Sequence, residues 1–378
     1  MTGVLSSSLR CCVCFACCVS FSSTDRVELL GLVPELRVPR GKSMVIGLRL
    51  ETGSQPASQT KGPLPGGSVV KCSNSVLRTV VFVSMALLVA RAAFGQSNVC
   101  SASARGASHS CRAGARSHYL LALAKCTNEP DAAGRSTCRE QAQTDLKDAF
   151  DQCSAQLSAR QQICQFLGGK GWDPEINPAN FSTNIDNPYF PLKPGTTYEY
   201  QAHTADGLIT NFVAVTHKTK VILGVTCVEV HDTVFLNGQK TEDTLDWYAQ
   251  DRDGNVWYFG EDSEDLSNGR VSSLAGSWTA GVDGAEPGII MEAHPKVGDA
   301  YRQELLLNEA EDFARVLSLN KSVKVPVGSF DNCLETTESS GVEPGAVEFK
   351  FYAPGIGVVF DNDVSGEEKD SLVKVISE

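Results

Sequence analysis

Six cysteines between Cys100 and Cys164 fall 11, 15, 12, 15 and 11 residues apart, a series that mirrors itself about residue 132. The intervening sequence gives the mirror a physical meaning. Ala113 to Cys126 reads as a helix, Glu129-Pro130-Asp131 and Gly134 interrupt it, and Ser136 to Gln156 reads as a second helix, with Ala142, Leu146, Ala149 and Phe150 on one side. Two antiparallel helices bring residues at equal distances from their turn face to face. Of the fifteen pairings open to six cysteines, the mirror selects the nested set Cys126–Cys138, Cys111–Cys153 and Cys100–Cys164. Fifteen helical residues run about 22 Å, so the first two bridges would pin both ends of a rod. Zinc is the competing use of such cysteines, but close Cys/His pairs with finger spacing do not occur here. Hairpins of this kind serve as structural or docking modules.

A disulfide reading requires an oxidising compartment, and the sequence upstream supplies a route to one. Lys71 and Arg78 precede an apolar run from Val80 to Ala90, and Ala93-Phe94-Gly95 offers small residues before a cut. This is signal-peptide grammar over residues 71–95, with a mature chain starting near Gln96. Eleven apolar residues are too few for a transmembrane helix, so no membrane span is expected in the mature chain. Residues 1–70, with five cysteines between Cys11 and Cys18, read as a mistranslated or disordered leader. Beyond Gln96 there remain 23 basic and 41 acidic residues, a balance of −18. Such a surface repels phosphate backbones and argues against nucleic acid as a partner. The expected location is periplasmic or extracellular.

Past the hairpin (residues 96–169), a Pro-, Asn- and Gly-rich linker covers 170–195. From Thr196 to the end the hydrophobic period changes to two, with hairpin signals at Asn237-Gly238, Asp253-Gly254 and Asn268-Gly269. About ten strands without intervening helices, the last expected at Val358–Asp361, predict an antiparallel, strongly curved sheet or barrel of lipocalin or lipoprotein-carrier type. The fold class is therefore α+β: a disulfide-linked helical hairpin followed by an antiparallel β domain. Cys227 and Cys333 are left over and are expected to bridge.

Three stretches carry a resemblance: Asn187-Pro188-Tyr189-Phe190-Pro191-Leu192-Lys193-Pro194-Gly195-Thr196-Thr197-Tyr198, Asp246-Trp247-Tyr248-Ala249-Gln250-Asp251 and Tyr352-Ala353-Pro354-Gly355-Ile356-Gly357. The chain from about Cys126 to Phe360 resembles a family of uncharacterised secreted bacterial proteins. The resemblance implies bacterial export and a β fold, and no particular chemistry.

Candidate site residues follow from strand register. If Asn237-Gly238 and Asp253-Gly254 are both two-residue turns, Glu229 faces Asp246 and Asp246 faces Glu261. Like charges so placed repel. With His231 nearby, such a row suits one divalent metal ion, or a shared proton for acid–base work. Tyr248, Trp257 and Phe259 would share that face as an apolar wall for a small ligand. Three functions compete. The first is an exported carrier of a small amphipathic molecule on Tyr248, Trp257 and Phe259. The second is a metal-dependent enzyme using Glu229, His231, Asp246 and Glu261. The third is an interaction protein docking a protein partner through the hairpin.

Overall fold

The computed structural model describes residues 98–364 and 368–378; the expected leader and signal peptide lie outside the described residues. Helix α1 spans Val99–Cys126 and α2 spans Ala132–Phe166. Each begins at a side-chain cap: the Asn98 side chain accepts from the Ser101 amide, and that of Asp131 from the Gly134 amide. Both helices outrun their sequence-based bounds, because Cys100 and Cys164 are themselves helical. The three nested disulfides form as the mirror requires, with Cα–Cα separations of 5.5, 5.8 and 5.5 Å from base to tip.

The helices bury little else. In α2 only Ala142, Cys153, Arg160, Ile163 and Cys164 are buried. The base of the hairpin docks on the β domain. The Arg160 guanidinium donates to the Glu311 carboxylate at 2.7 to 3.0 Å, both side chains being almost wholly enclosed. Phe166 stacks on Phe313 at 5.8 Å, and Gln156 donates to the Val342 carbonyl.

The strands are β1 Phe181–Ser182, β2 Thr196–Thr204, β3 Gly207–Ile222, β4 Val225–Leu236, β5 Gln239–Asp251, β6 Val256–Ser267, β7 Arg270–Ser273 and β8 Trp278–Thr279. They continue as β9 Glu286–Met291, β10 Ala300–Arg302, β11 Glu304–Leu305, β12 Asp312–Val325, β13 Gly328–Ser340, β14 Glu348–Ala353, β15 Gly357–Asp363 and β16 Glu368–Ser377. All belong to one antiparallel sheet whose main path runs β10-β12-β13-β14-β15-β16-β2-β3-β4-β5-β6-β9-β11. Residues 300–305 nearly close it into a barrel, since β10 pairs with β12 while β11, one residue further on, pairs with β9. Gly288 on β9 is required at this seam: a Cβ there would lie 2.2 Å from the Gln303 backbone.

Two expectations need correction. A strand beyond Asp361 was not anticipated, yet β16 sits mid-sheet and joins β15 to β2. Cys227 and Cys333 are free and buried. They lie on β4 and β13, with β14, β15, β16, β2 and β3 between them in the sheet. A bridge needs Cα atoms within about 7 Å, which strands so placed around a barrel do not offer.

Candidate functional site

The inner face of the barrel is set by local register. At Asn237-Gly238 both residues take positive φ (51° and 81°), as a two-residue hairpin turn demands, and Leu236 pairs with Gln239. A register shift follows at once, because Phe235 pairs with Lys240 but Val234 pairs with Glu242, leaving Thr241 as an extra residue. One extra residue reverses every later facing. Val230 therefore faces Asp246, and Glu229 faces Trp247.

This overturns the expected metal row. Asp246 and Glu261 do pair in register, but Glu229 and His231 occupy the opposite side of β4. There Glu229 accepts from Thr216 Oγ1 and lies 3.4 Å from Lys218 Nζ, while His231 Nε2 lies 2.5 Å from Asp243 Oδ1. Among the described residues no group of three or more His, Cys, Asp or Glu is gathered to hold a metal ion.

The Asp246–Glu261 pairing survives through two departures that cancel. The turn around Gly254 is longer than two residues, its amides capped by the Asp251 carboxylate, and Gln250 pairs with Val256. Phe259 is then skipped by the ladder, so Tyr248 pairs with Tyr258 and Trp247 with Gly260. The longer turn separates the expected apolar wall. Tyr248 lies on the lumen side, stacked on Tyr258 at 4.7 Å. Trp257 and Phe259 lie on the other face of β6, covered by the linker through Trp172 and Phe181.

The lumen holds a cavity of 310 Å³ walled by Tyr198, Tyr200, Tyr248 and Tyr352. Three of these rings are pinned by their hydroxyls: Tyr200 donates to the Val358 carbonyl at 2.9 Å, Tyr352 to Glu338 at 2.9 Å, and Tyr198 to the Pro191 carbonyl at 3.4 Å. The linker closes one end. Phe190 packs edge-on to Tyr248 at 5.6 Å, and Pro191 and Leu192 join the lining. Gln250 receives the amides of Asp186 and Asn187, and the Gly355 amide donates to the Pro188 carbonyl at 2.7 Å. The stretches 187–198, 246–251 and 352–357 thus meet at one end of this cavity, although they are far apart in sequence. Their convergence was not read from the sequence, since it needs the barrel.

The wall is also unusually acidic. Asp232, Asp361 and Asp370 line the cavity, and Asp361 and Asp370 are direct cross-strand partners. One cation lines it with them: Lys350, 3.0 Å from Glu338, 2.9 Å from Glu348 and 3.8 Å from Asp361. Burial pushes Asp361 up to about 7, and burial with the neighbouring Glu368 pushes Asp370 up to about 8. Deeper in, the Tyr258 hydroxyl lies 2.6 Å from Asp246 and 3.0 Å from Glu261. Burial lifts Asp246 to about 7; burial and the charge of Asp246 lift Glu261 to about 8.

Comparison with known proteins adds little. No family model matches the chain, and no curated protein does. Among solved structures, the chain is similar to a "putative lipoprotein" from Parabacteroides distasonis. The two share 12% identity over 50% of this chain and 98% of the other, with a TM-score of 0.29. A likeness of that size carries no functional argument.

Proposed function

We propose that the chain is an exported binding or carrier protein whose barrel takes one small amphipathic molecule. The observation that carries this reading is the tyrosine-walled cavity, a size at the lower end of small-molecule sites. Its closing segment, Phe190-Pro191-Leu192, packs on the wall as a cap. Three disulfides fit an oxidising compartment, and the resemblance to secreted bacterial proteins supports the same location. Among the described residues no helix is long and apolar enough to cross a membrane.

The test is titration with N-phenyl-1-naphthylamine, a neutral dye that brightens in apolar surroundings. The full chain should enhance its emission saturably. Val213→Trp, which fills the cavity from β3, should abolish the response while the circular-dichroism melt shows a folded barrel. No enhancement by the wild type, or an equal response in a folded Val213→Trp variant, would remove the proposal.

A further inference from the structure

We infer that the ligand of this cavity is an organic cation, an amine or ammonium carried on an apolar body, held by Asp232, Asp361 and Asp370 against the tyrosine wall. The inference rests on the carrier reading above and adds the ligand's charge.

Its basis is an imbalance of hydrogen-bonding groups. Four enclosed side-chain oxygens of the cavity lining have no hydrogen-bond partner: Asn211 Oδ1, Asp232 Oδ1, Asp361 Oδ1 and Asp370 Oδ1. Buried polar atoms are nearly always paired, and an unpaired one costs free energy. All four are oxygens. The amide of Asn211 is oriented by a long contact, its nitrogen 3.5 Å from Asp232 Oδ2, which leaves its oxygen free. What is missing is therefore a set of donors. A compact ammonium brings several, together with the charge that carboxylates favour.

The sheet points the same way. Asp361 directly opposite Asp370 sets like charges on facing strands, an arrangement that destabilises a sheet unless something compensates. Lys350 lies closer to Glu338 and Glu348 (3.0 and 2.9 Å) than to Asp361 (3.8 Å), so this one lysine does not neutralise both aspartates. The tyrosine faces supply the remaining element of cation recognition, the attraction of a positive group to an aromatic ring. An anionic ligand would meet three carboxylates, and the acids are spread around an aromatic wall instead of gathered as metal ligands.

Several groups set the field at Asp361 and Asp370: Lys350 and Glu348 from β14, Glu338 from β13, Asp363 from β15, Glu368 from β16, and Asp232 from β4. With one lysine among them the balance is negative. A bound cation would draw the raised carboxyls toward their ionised form.

The experiment compares three probes of one shape by isothermal calorimetry on the full chain: 2-phenylethylamine, 2-phenylethanol and 3-phenylpropanoate. The amine should bind at least about tenfold tighter than the alcohol, and the carboxylate should not bind. Asp361→Asn with Asp370→Asn should remove that preference while keeping the alcohol's affinity. Equal or better binding of the alcohol would overturn the cation assignment and leave the carrier reading standing. Binding of none of the three would overturn both. Unchanged amine affinity in the double variant would overturn the assigned residues, and with them the inference.

Discussion

The hairpin and the barrel are stabilised by opposite means. The hairpin holds all three disulfides and buries few apolar side chains, so covalent links do what a core would otherwise do. The barrel holds no disulfide among its described residues; its two cysteines are free thiols within a continuous core that includes Val228, Trp247, Met291 and Leu334. Ionisable groups divide the same way. Those of the hairpin are mostly solvated, whereas the barrel encloses carboxylates that each keep one oxygen without a hydrogen-bond partner. The contrast separates a part held in shape by crosslinks from a part whose interior carries unpaired acceptor oxygens. The Arg160–Glu311 pair joins them.

The comparison can be broken most decisively at the disulfides. Replacing all six hairpin cysteines by serine should melt the hairpin, since each native bridge is worth about 2–5 kcal/mol in small secreted domains. Far-ultraviolet circular dichroism should lose helix while the β signal persists; concerted loss of both would mean that the two parts fold as one.

The junction comes next. Arg160→Met strands a buried Glu311, and Glu311→Gln strands a buried Arg160, so each should cost about 3–5 kcal/mol in denaturant unfolding. The combined Arg160→Met, Glu311→Leu variant should cost less than either alone.

A smaller effect concerns pH. The folded-state values of Asp246, Glu261, Asp361 and Asp370 lie at about 7 to 8, above the unfolded carboxylate range. Between roughly pH 4 and 8 the folded chain therefore holds protons that the unfolded chain has released. Stability supplied by these groups is full below about pH 4 and is lost as pH rises through 7 to 8. The ligand-free melting temperature should fall between pH 5 and 8, and Asp246→Asn should flatten that fall. A rising profile would contradict the burial of these acids.

The smallest effect is at the free thiols. Burial pushes Cys227 up to about 12, so neither it nor Cys333 should react with a thiol reagent until the barrel unfolds. Cys227→Ala should change stability by about 1 kcal/mol.

The hairpin was legible because its pairing needs only spacing arithmetic and the straightness of two helices. Barrel architecture was legible from the period of two and from turns such as Asn237-Gly238. Register was not, because Thr241 and Phe259 are single extra residues in their ladders and nothing in their neighbours marks them. The extra Thr241 moved Glu229 and His231 out of the site, and the longer turn at Gly254 placed Trp257 and Phe259 under the linker. The parity of the cysteine count suggested Cys227–Cys333, but parity holds no distance. β16 escaped notice because Glu368-Lys369-Asp370 breaks the apolar alternation. The reason is local: Asp370 lines the cavity, so an inward-facing position of this strand carries a charge where the pattern would place an apolar residue.

The most direct measurement is a crystal structure of the protein grown with 2-phenylethylamine. The account predicts the ring against Tyr200 and Tyr352 and the ammonium within hydrogen-bonding distance of Asp361 and Asp370. A lumen filled by its own side chains, or the amine bound only outside the barrel, would contradict it.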